Sequence, residues 1–157
     1  DLSGRSAPLA EQLRALSMQL VLAAELDLPV VVHMRDAARE LRDALGREPA
    51  VRGQLHCYSE GPAELGGWAA LGLVPSFAGT VTFARNDRLR EAAARAERLL
   101  VETDAPYLAP EPRRGERNEP LRVRDTYERI AALRGSTPER LAAEVGETAR
   151  ALFGPRW

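Results

Sequence analysis

The stretch "LLVETDAPYLAP" (residues 99–110) sets the question on which the fold turns. An apolar run climbs through Leu99, Leu100 and Val101 to Thr103 and Asp104, and Ala105-Pro106 then breaks the pattern. A short apolar run closed by proline reads as a buried strand over 99–103. Two readings of Asp104 stay open at this point. Its side chain either holds a turn, or serves as a metal ligand or general base at the rim of a parallel sheet.

Working back from that strand, the same arrangement recurs. Residues 8–27 place Leu9, Leu13, Leu16, Leu20 and Ala24 at helical spacing. "LPVVVH" (28–33) is a continuous β-branched run, as expected of a strand buried on both faces. Asp36 is placed to cap a short helix ending at Gly46. "GQLHCY" (53–58) is the next strand, and Pro62 opens a helix through Leu65, Trp68 and Leu71. "LVPSF" (73–77) is a third strand, weakened by Pro75, and Asn86 caps a helix through Leu89, Ala93 and Ala96. Beyond the fourth strand lies a long charged loop, "DAPYLAPEPRRGERNEP" (104–120). Two helices finish the chain, one with Val123, Tyr127, Ile130 and Leu133 inward. The second is opened by a capping box from Ser136 to Glu139 and buries Leu141, Val145, Ala149 and Leu152.

Four alternations of strand and helix predict an α/β fold with parallel strands. They amount either to half of a (β/α)8 barrel, which needs about 250 residues, or to a small doubly wound sheet. The chain has 157 residues, which suits a single domain over 1–157. Its 45% apolar content argues against disorder, and its net charge of −1 against a broad basic surface for long nucleic acids. Every one of the 22 basic residues is arginine, which reads as compositional bias of a GC-rich genome. Aromatic residues, at 5%, are too sparse for a base-stacking platform. The lone Cys57 excludes an internal disulfide and makes the cytoplasm the default location. No apolar stretch reaches the ~20 residues that span a bilayer. The chain opens on Asp1 and reads as the middle of something longer.

Reactive groups of parallel α/β folds collect at the C-terminal strand ends. Both histidines are there: His33 closes one strand and His56 the next, with Asp104 after the fourth. Three such side chains form an N/O donor set for a divalent cation, although strand-end histidines are also commonly just satisfied polar residues. Arg35 reads as a phosphate or carboxylate contact or as a partner of Asp36 or Glu40. Arg117 and Asn118 read as substrate contacts or as part of an internally paired loop. Tyr58 and Ser59 either donate to a ligand or cap the next helix, and Gly79 either approaches a substrate or makes a turn. Strand alternation turns Cys57 away from the rim, so it is expected to be core and not a nucleophile. Trp68 and Trp157 read as packing or terminus.

"PVVVHMRDA", "LHCYS", "SFAGTVTF", "LLVETDAPYLAP" and "RRGERNEP" occur in the order and spacing of the TatD family of metal-dependent deoxyribonucleases. The resemblance runs from about Pro8 onward and includes the closing helices. It implies a (β/α)8 barrel of the amidohydrolase type with one or two divalent ions (Mg, Mn or Zn) that hydrolyses phosphodiesters, typically in DNA. By position, His33, His56 and Asp104 would be metal ligands, and Asp104 also the base acting on the attacking water. Arg35, Arg117 and Asn118 would contact the phosphate or the rest of the substrate. Glu60 stands where the family usually has Gly, and Thr148 where it usually has Asn. The larger departure is that the family's "HxH" pair and its bridging glutamate do not occur in this sequence. The expectation is therefore the second half of a barrel, strands five to eight, impaired alone and prone to self-association. The rival expectations are an amidohydrolase-type enzyme acting on a C–N or carboxylic ester bond, and a non-catalytic barrel fragment.

Overall fold

Each of the four apolar runs pairs in parallel with the next one along the chain, giving a sheet in the order β1-β2-β3-β4. The strands are β1 (Val30–His33), β2 (Gly53–His56), β3 (Leu73–Phe77) and β4 (Leu100–Val101) in a computed structural model that describes residues 1–4 and 6–154. Trp157 lies outside the described residues. Helices α2 (Ala38–Leu45), α3 (Leu65–Ala70) and α4 (Asp87–Arg95) connect the strands, α1 (Leu9–Glu25) precedes them, and α5 (Val123–Leu133) and α6 (Pro138–Phe153) follow. Short 3-10 turns at Pro62–Glu64, Gly79–Thr82 and Pro120–Arg122 complete the order.

The core forms where β2 and β3, the two central strands, meet the helices. Leu55, Leu73, Phe77, Tyr58, Trp68, Val81, Ile130 and Leu141 are almost wholly withdrawn from water. Burial of this kind is worth roughly 1.5–3 kcal/mol per large apolar side chain. All five residues of β3 are buried. Having no N–H to donate, Pro75 falls where pairing with β2 stops and pairing with β4 begins at Ser76.

Several local expectations need correction. The run at 28–33 is not covered on both faces among the described residues: Val31 is 61% exposed. Leu9, Met18, Leu22 and Leu26 of α1 and its C-terminal flank are exposed as well. Asp36 does not cap α2, whose N-cap is Ala37 without a side-chain hydrogen bond; Asp36 instead adopts a left-handed φ of 55°. The cap of α6 is Thr137, which accepts from the Arg140 N–H, so the register lies one residue beyond the expected Ser136 box. Asn86 stands at the N-cap of α4, but its amide donates to the Thr80 carbonyl. The strand expected over 99–103 is reduced to two residues, Leu100 and Val101.

The departures at Glu60 and Thr148 have packing explanations. Glu60 accepts from the indole N–H of buried Trp68 and pairs with Arg42 at 2.9 Å, while the Arg42 guanidinium lies 4.3 Å over the Trp68 ring. Thr148 donates to the Glu144 carbonyl on its own helix at 3.0 Å.

Candidate metal centre at the strand ends

The register of β1 on β2 puts His33 directly opposite His56. Parallel strands lie about 4.8 Å apart, and the two imidazole rings accordingly sit 6.0 Å apart, centroid to centroid. Asp104, two residues beyond Glu102 and past the end of β4, reaches across to the same rim. Its Oδ1 is 3.3 Å from His56 Nε2. His33 Nε2 lies 3.2 Å from Asp1 Oδ2. The rim therefore carries two imidazole–carboxylate pairs side by side.

Among the described residues, no three His, Cys, Asp or Glu side chains already stand in a closed cation-binding arrangement. The chemistry and spacing of the pairs nevertheless suit a cation. Donors on a tetrahedral ion with bonds of about 2.0–2.1 Å stand about 3.3 Å from one another, which is the separation of His56 Nε2 from Asp104 Oδ1. Partial burial, and then the neighbouring His56, hold the His33 pKa below its ordinary value. That favours the neutral imidazole a metal requires. Two imidazoles with carboxylates form a donor set for a divalent cation.

Sequence reasoning did not pick out Glu102. Its Oε1 stands 2.7 Å from His56 Nδ1 and accepts the Cys57 N–H at 3.0 Å, while Oε2 accepts from the Gln54 amide at 2.6 Å. The available signal was spacing: Glu102 precedes Asp104 by two residues and Gln54 precedes His56 by two, and residues two apart on an extended chain share a face. Asp1 was likewise not singled out. Its carboxylate is fixed by the Ser3 N–H at 2.8 Å and faces His33.

The three expected substrate contacts fall into two groups. Arg35 and Arg117 are exposed, and among the described residues neither makes an ion pair; Glu40 pairs with Arg39 instead. Asn118 is only 3% exposed and is turned into the loop. Its amide donates to the carbonyls of Thr103 and Tyr107, both at 2.7 Å, and its Oδ1 accepts the Glu119 N–H at 2.8 Å. It thus clamps the two sides of the turn that carries Asp104.

Of the remaining candidates, Ser59 is exposed, whereas Tyr58 and Gly79 are spent on structure. The Tyr58 hydroxyl donates to the Gly61 carbonyl at 2.7 Å, deep in the core. Gly79 is buried against the loop after β4: a Cβ there would overlap the Leu108 carbonyl and come within 3.0 Å of Pro110 N. The close approach it permits is therefore to its own chain. Cys57 is half-buried and not part of the core; burial, followed by the charges of Glu102 and Asp104, pushes its thiol up to about 12, which argues against a nucleophile.

The family model for TatD-related DNase matches residues 1–154. The chain belongs to the TatD-related DNase family. This TatD-related chain is 44% identical over 133 residues to the uncharacterized metal-dependent hydrolase YcfH of Escherichia coli strain K12, an alignment covering 82% of this chain and 50% of the relative. It is 39% identical over 153 residues to the 3'-5' ssDNA/RNA exonuclease TatD of Erwinia amylovora, covering 92% of this chain and 59% of that protein. Among solved structures it superposes on YJJV, a TatD homolog from Escherichia coli K12, with a TM-score of 0.88 at 28% identity, covering 99% of this chain and 61% of the other. The TatD-related chain thus spans about half the length of the curated relatives it matches. Among the described residues no helix is long and apolar enough to cross a membrane.

Proposed function

We propose that this chain forms strands five to eight of a (β/α)8 barrel in a cytoplasmic, divalent-metal-dependent hydrolase that cleaves phosphodiester bonds in DNA. The observation that carries this reading is the juxtaposition of His33, His56 and Asp104 beyond the ends of β1, β2 and β4 in a TatD-related chain. The half-barrel part is supported by the two sheet edges at β1 and β4, by the exposed apolar face of α1 and Val31, and by the length of the relatives. In the whole protein the first half of the barrel covers that face. The isolated chain self-associates through it, and light scattering that finds a monomer with sharp thermal unfolding counts against this.

His33 Nε2, His56 Nε2 and Asp104 are the atoms that would hold the ion, with a second ion drawing on ligands outside this sequence. A bound divalent ion lowers the pKa of water and offsets charge on the phosphoryl oxygens. Asp104 orients the attacking water and accepts its proton, and its position at the rim leaves one oxygen free of His56 for that contact. The exposed guanidinium groups of Arg35 and Arg117 bind phosphate oxygens through paired N–H donors. Asn118 acts from behind, by keeping the Asp104 turn in place.

The test is Asp104→Ala in the full-length gene product, assayed on single-stranded DNA, RNA, a C–N substrate and a carboxylic ester. Loss of phosphodiester turnover with retained fold supports the reading. Retained turnover removes Asp104 from the mechanism, and activity confined to the C–N or carboxylic ester substrate moves the protein to the other hydrolase class.

A further inference from the structure

We infer that Glu102 is a positioning residue that fixes the tautomer and orientation of His56, so that the His56 Nε2 lone pair faces the metal rim. The inference rests on the metal-site reading above, but its own observations are independent of which bond the enzyme cleaves.

Glu102 is held at the end of β4, where its N–H donates to the Phe77 carbonyl at 3.0 Å. Its side chain is 13% exposed, and among the described residues it has no arginine partner. Every contact of the carboxylate is instead with a donor beside His56. Oε2 takes the amide of Gln54, two residues before the histidine on the same strand face. Oε1 takes the Cys57 N–H, immediately after it, and His56 Nδ1 at 2.7 Å. An ionised carboxylate only accepts hydrogen bonds. The contact with Nδ1 is therefore a hydrogen bond only if Nδ1 carries the proton. With a cation taking Nε2, the atom 3.3 Å from Asp104, the proton left on the ring would stand on Nδ1, facing Glu102. The lone pair is thus aimed into the rim by a contact on the far side of the ring, the relation by which carboxylates orient metal-binding histidines.

The same oxygen performs a second task. Cys57 leaves β2 with φ at 48°, a left-handed conformation that a non-glycine side chain adopts at a cost of roughly 1–3 kcal/mol. Its N–H is captured by Glu102 Oε1, so one atom holds both the strained turn and the imidazole that precedes it. Removing the carboxylate frees the ring to rotate about χ2 and to place its proton on Nε2. Either change takes the lone pair away from Asp104.

The experiment uses the metal-free chain at pH 8, labelled with 15N in histidine, and reads the tautomer of each ring by long-range 1H–15N correlation. His56 is expected as the Nδ1–H tautomer in the wild type. Glu102→Ala should shift it toward the Nε2–H tautomer or an exchanging mixture and weaken Zn2+ binding by about 10–100-fold in competition with a chromophoric chelator. Glu102→Gln, nearly isosteric, keeps a neutral acceptor for Nδ1–H and should fall between the two. If Glu102→Ala does not fold, the wild-type spectrum and the Gln variant decide the matter. A proton on Nε2 in the wild type overturns the inference, as does a folded Ala variant with unchanged tautomer and Zn2+ affinity. A wild-type chain with the expected tautomer but no Zn2+ binding would leave Glu102 orienting His56 while removing the metal reading beneath it.

Discussion

Replacing Asn118 with alanine separates a scaffolding role from a substrate-binding one. The side chain makes three hydrogen bonds, two donated to the Thr103 and Tyr107 carbonyls and one accepted from the Glu119 N–H. Each buried hydrogen bond contributes about 1 kcal/mol net, and a buried group left without a partner costs about 1–3 kcal/mol. Tyr107 and Glu119 are exposed, so water can re-solvate part of what is lost there. The expected destabilisation is therefore about 2–4 kcal/mol, and not the full sum of three orphaned groups. Asn118→Asp should cost more, because it places a carboxylate oxygen where an amide now faces two carbonyl oxygens. Urea denaturation followed by tryptophan fluorescence gives the global value, and amide exchange at Tyr107 and Glu119 reports the loop itself. In the full-length protein, kcat should fall with little change in KM, since what is disturbed is the turn carrying Asp104. If Asn118→Ala is as stable as the wild type within 0.5 kcal/mol, exchanges at the same rate, and raises KM alone, the clamp argument fails and Asn118 contacts substrate.

Gly79→Ala should destabilise the chain by about 1–3 kcal/mol in the same denaturation assay, because the new methyl group overlaps the Leu108 carbonyl, which is backbone and has no rotamer in which to withdraw. A variant as stable as the wild type would show that the loop after β4 can move off the Gly79–Thr82 turn without cost. Cys57, whose thiol is pushed up to about 12 by burial and then by the Glu102 and Asp104 charges, should resist iodoacetamide at pH 8 in the metal-stripped folded chain and react quickly in urea. Because only the unfolded chain then releases the thiol proton near its ordinary pKa of about 8.5, the contribution of Cys57 to stability should fall as pH rises past that value. Rapid alkylation of the folded chain at pH 8 would contradict the burial argument.

The fold was legible because its two periodicities are strong where the core is. Leu55, Leu73 and Phe77 on strands, and Ile130, Leu141 and Val145 on helices, lie inward where spacing puts them. His33, His56 and Asp104 were legible as a set because parallel strands end at one rim. Legibility failed where a residue type has two uses. Asp36 has the composition of an N-cap but takes a left-handed turn instead, and Ser136 and Thr137 are both capping residues, of which only Thr137 is used. Asn118 read equally as a substrate contact or as part of an internally paired loop, and only the fold of the 104–120 loop shows it buried and paired within the loop. Val31 was misjudged for a different reason. A β-branched run marks a strand, but it does not show that both of its faces are covered, and Val31 is 61% exposed.

The three left-handed residues at the strand ends connect these observations. Asp36 follows β1 by three residues, Cys57 follows β2 directly, and Asp104 follows β4 by three, with φ between 48° and 55°. Such a residue turns the chain sharply away from the strand direction, so the side chains on either side are thrown across the rim and not along it. The conformation costs energy, and two of the three turns are held by neighbours: Glu102 accepts the Cys57 N–H, Asn118 donates to the Thr103 carbonyl, and the Tyr107 N–H donates to the Asp104 carbonyl. The donor geometry therefore depends less on the donors than on these acceptors and amides behind them. Past Val101 the side chain of Glu102 is committed to His56, the carbonyl of Thr103 to Asn118 and the carboxylate of Asp104 to the rim, while the Glu102 N–H still donates to the Phe77 carbonyl of β3.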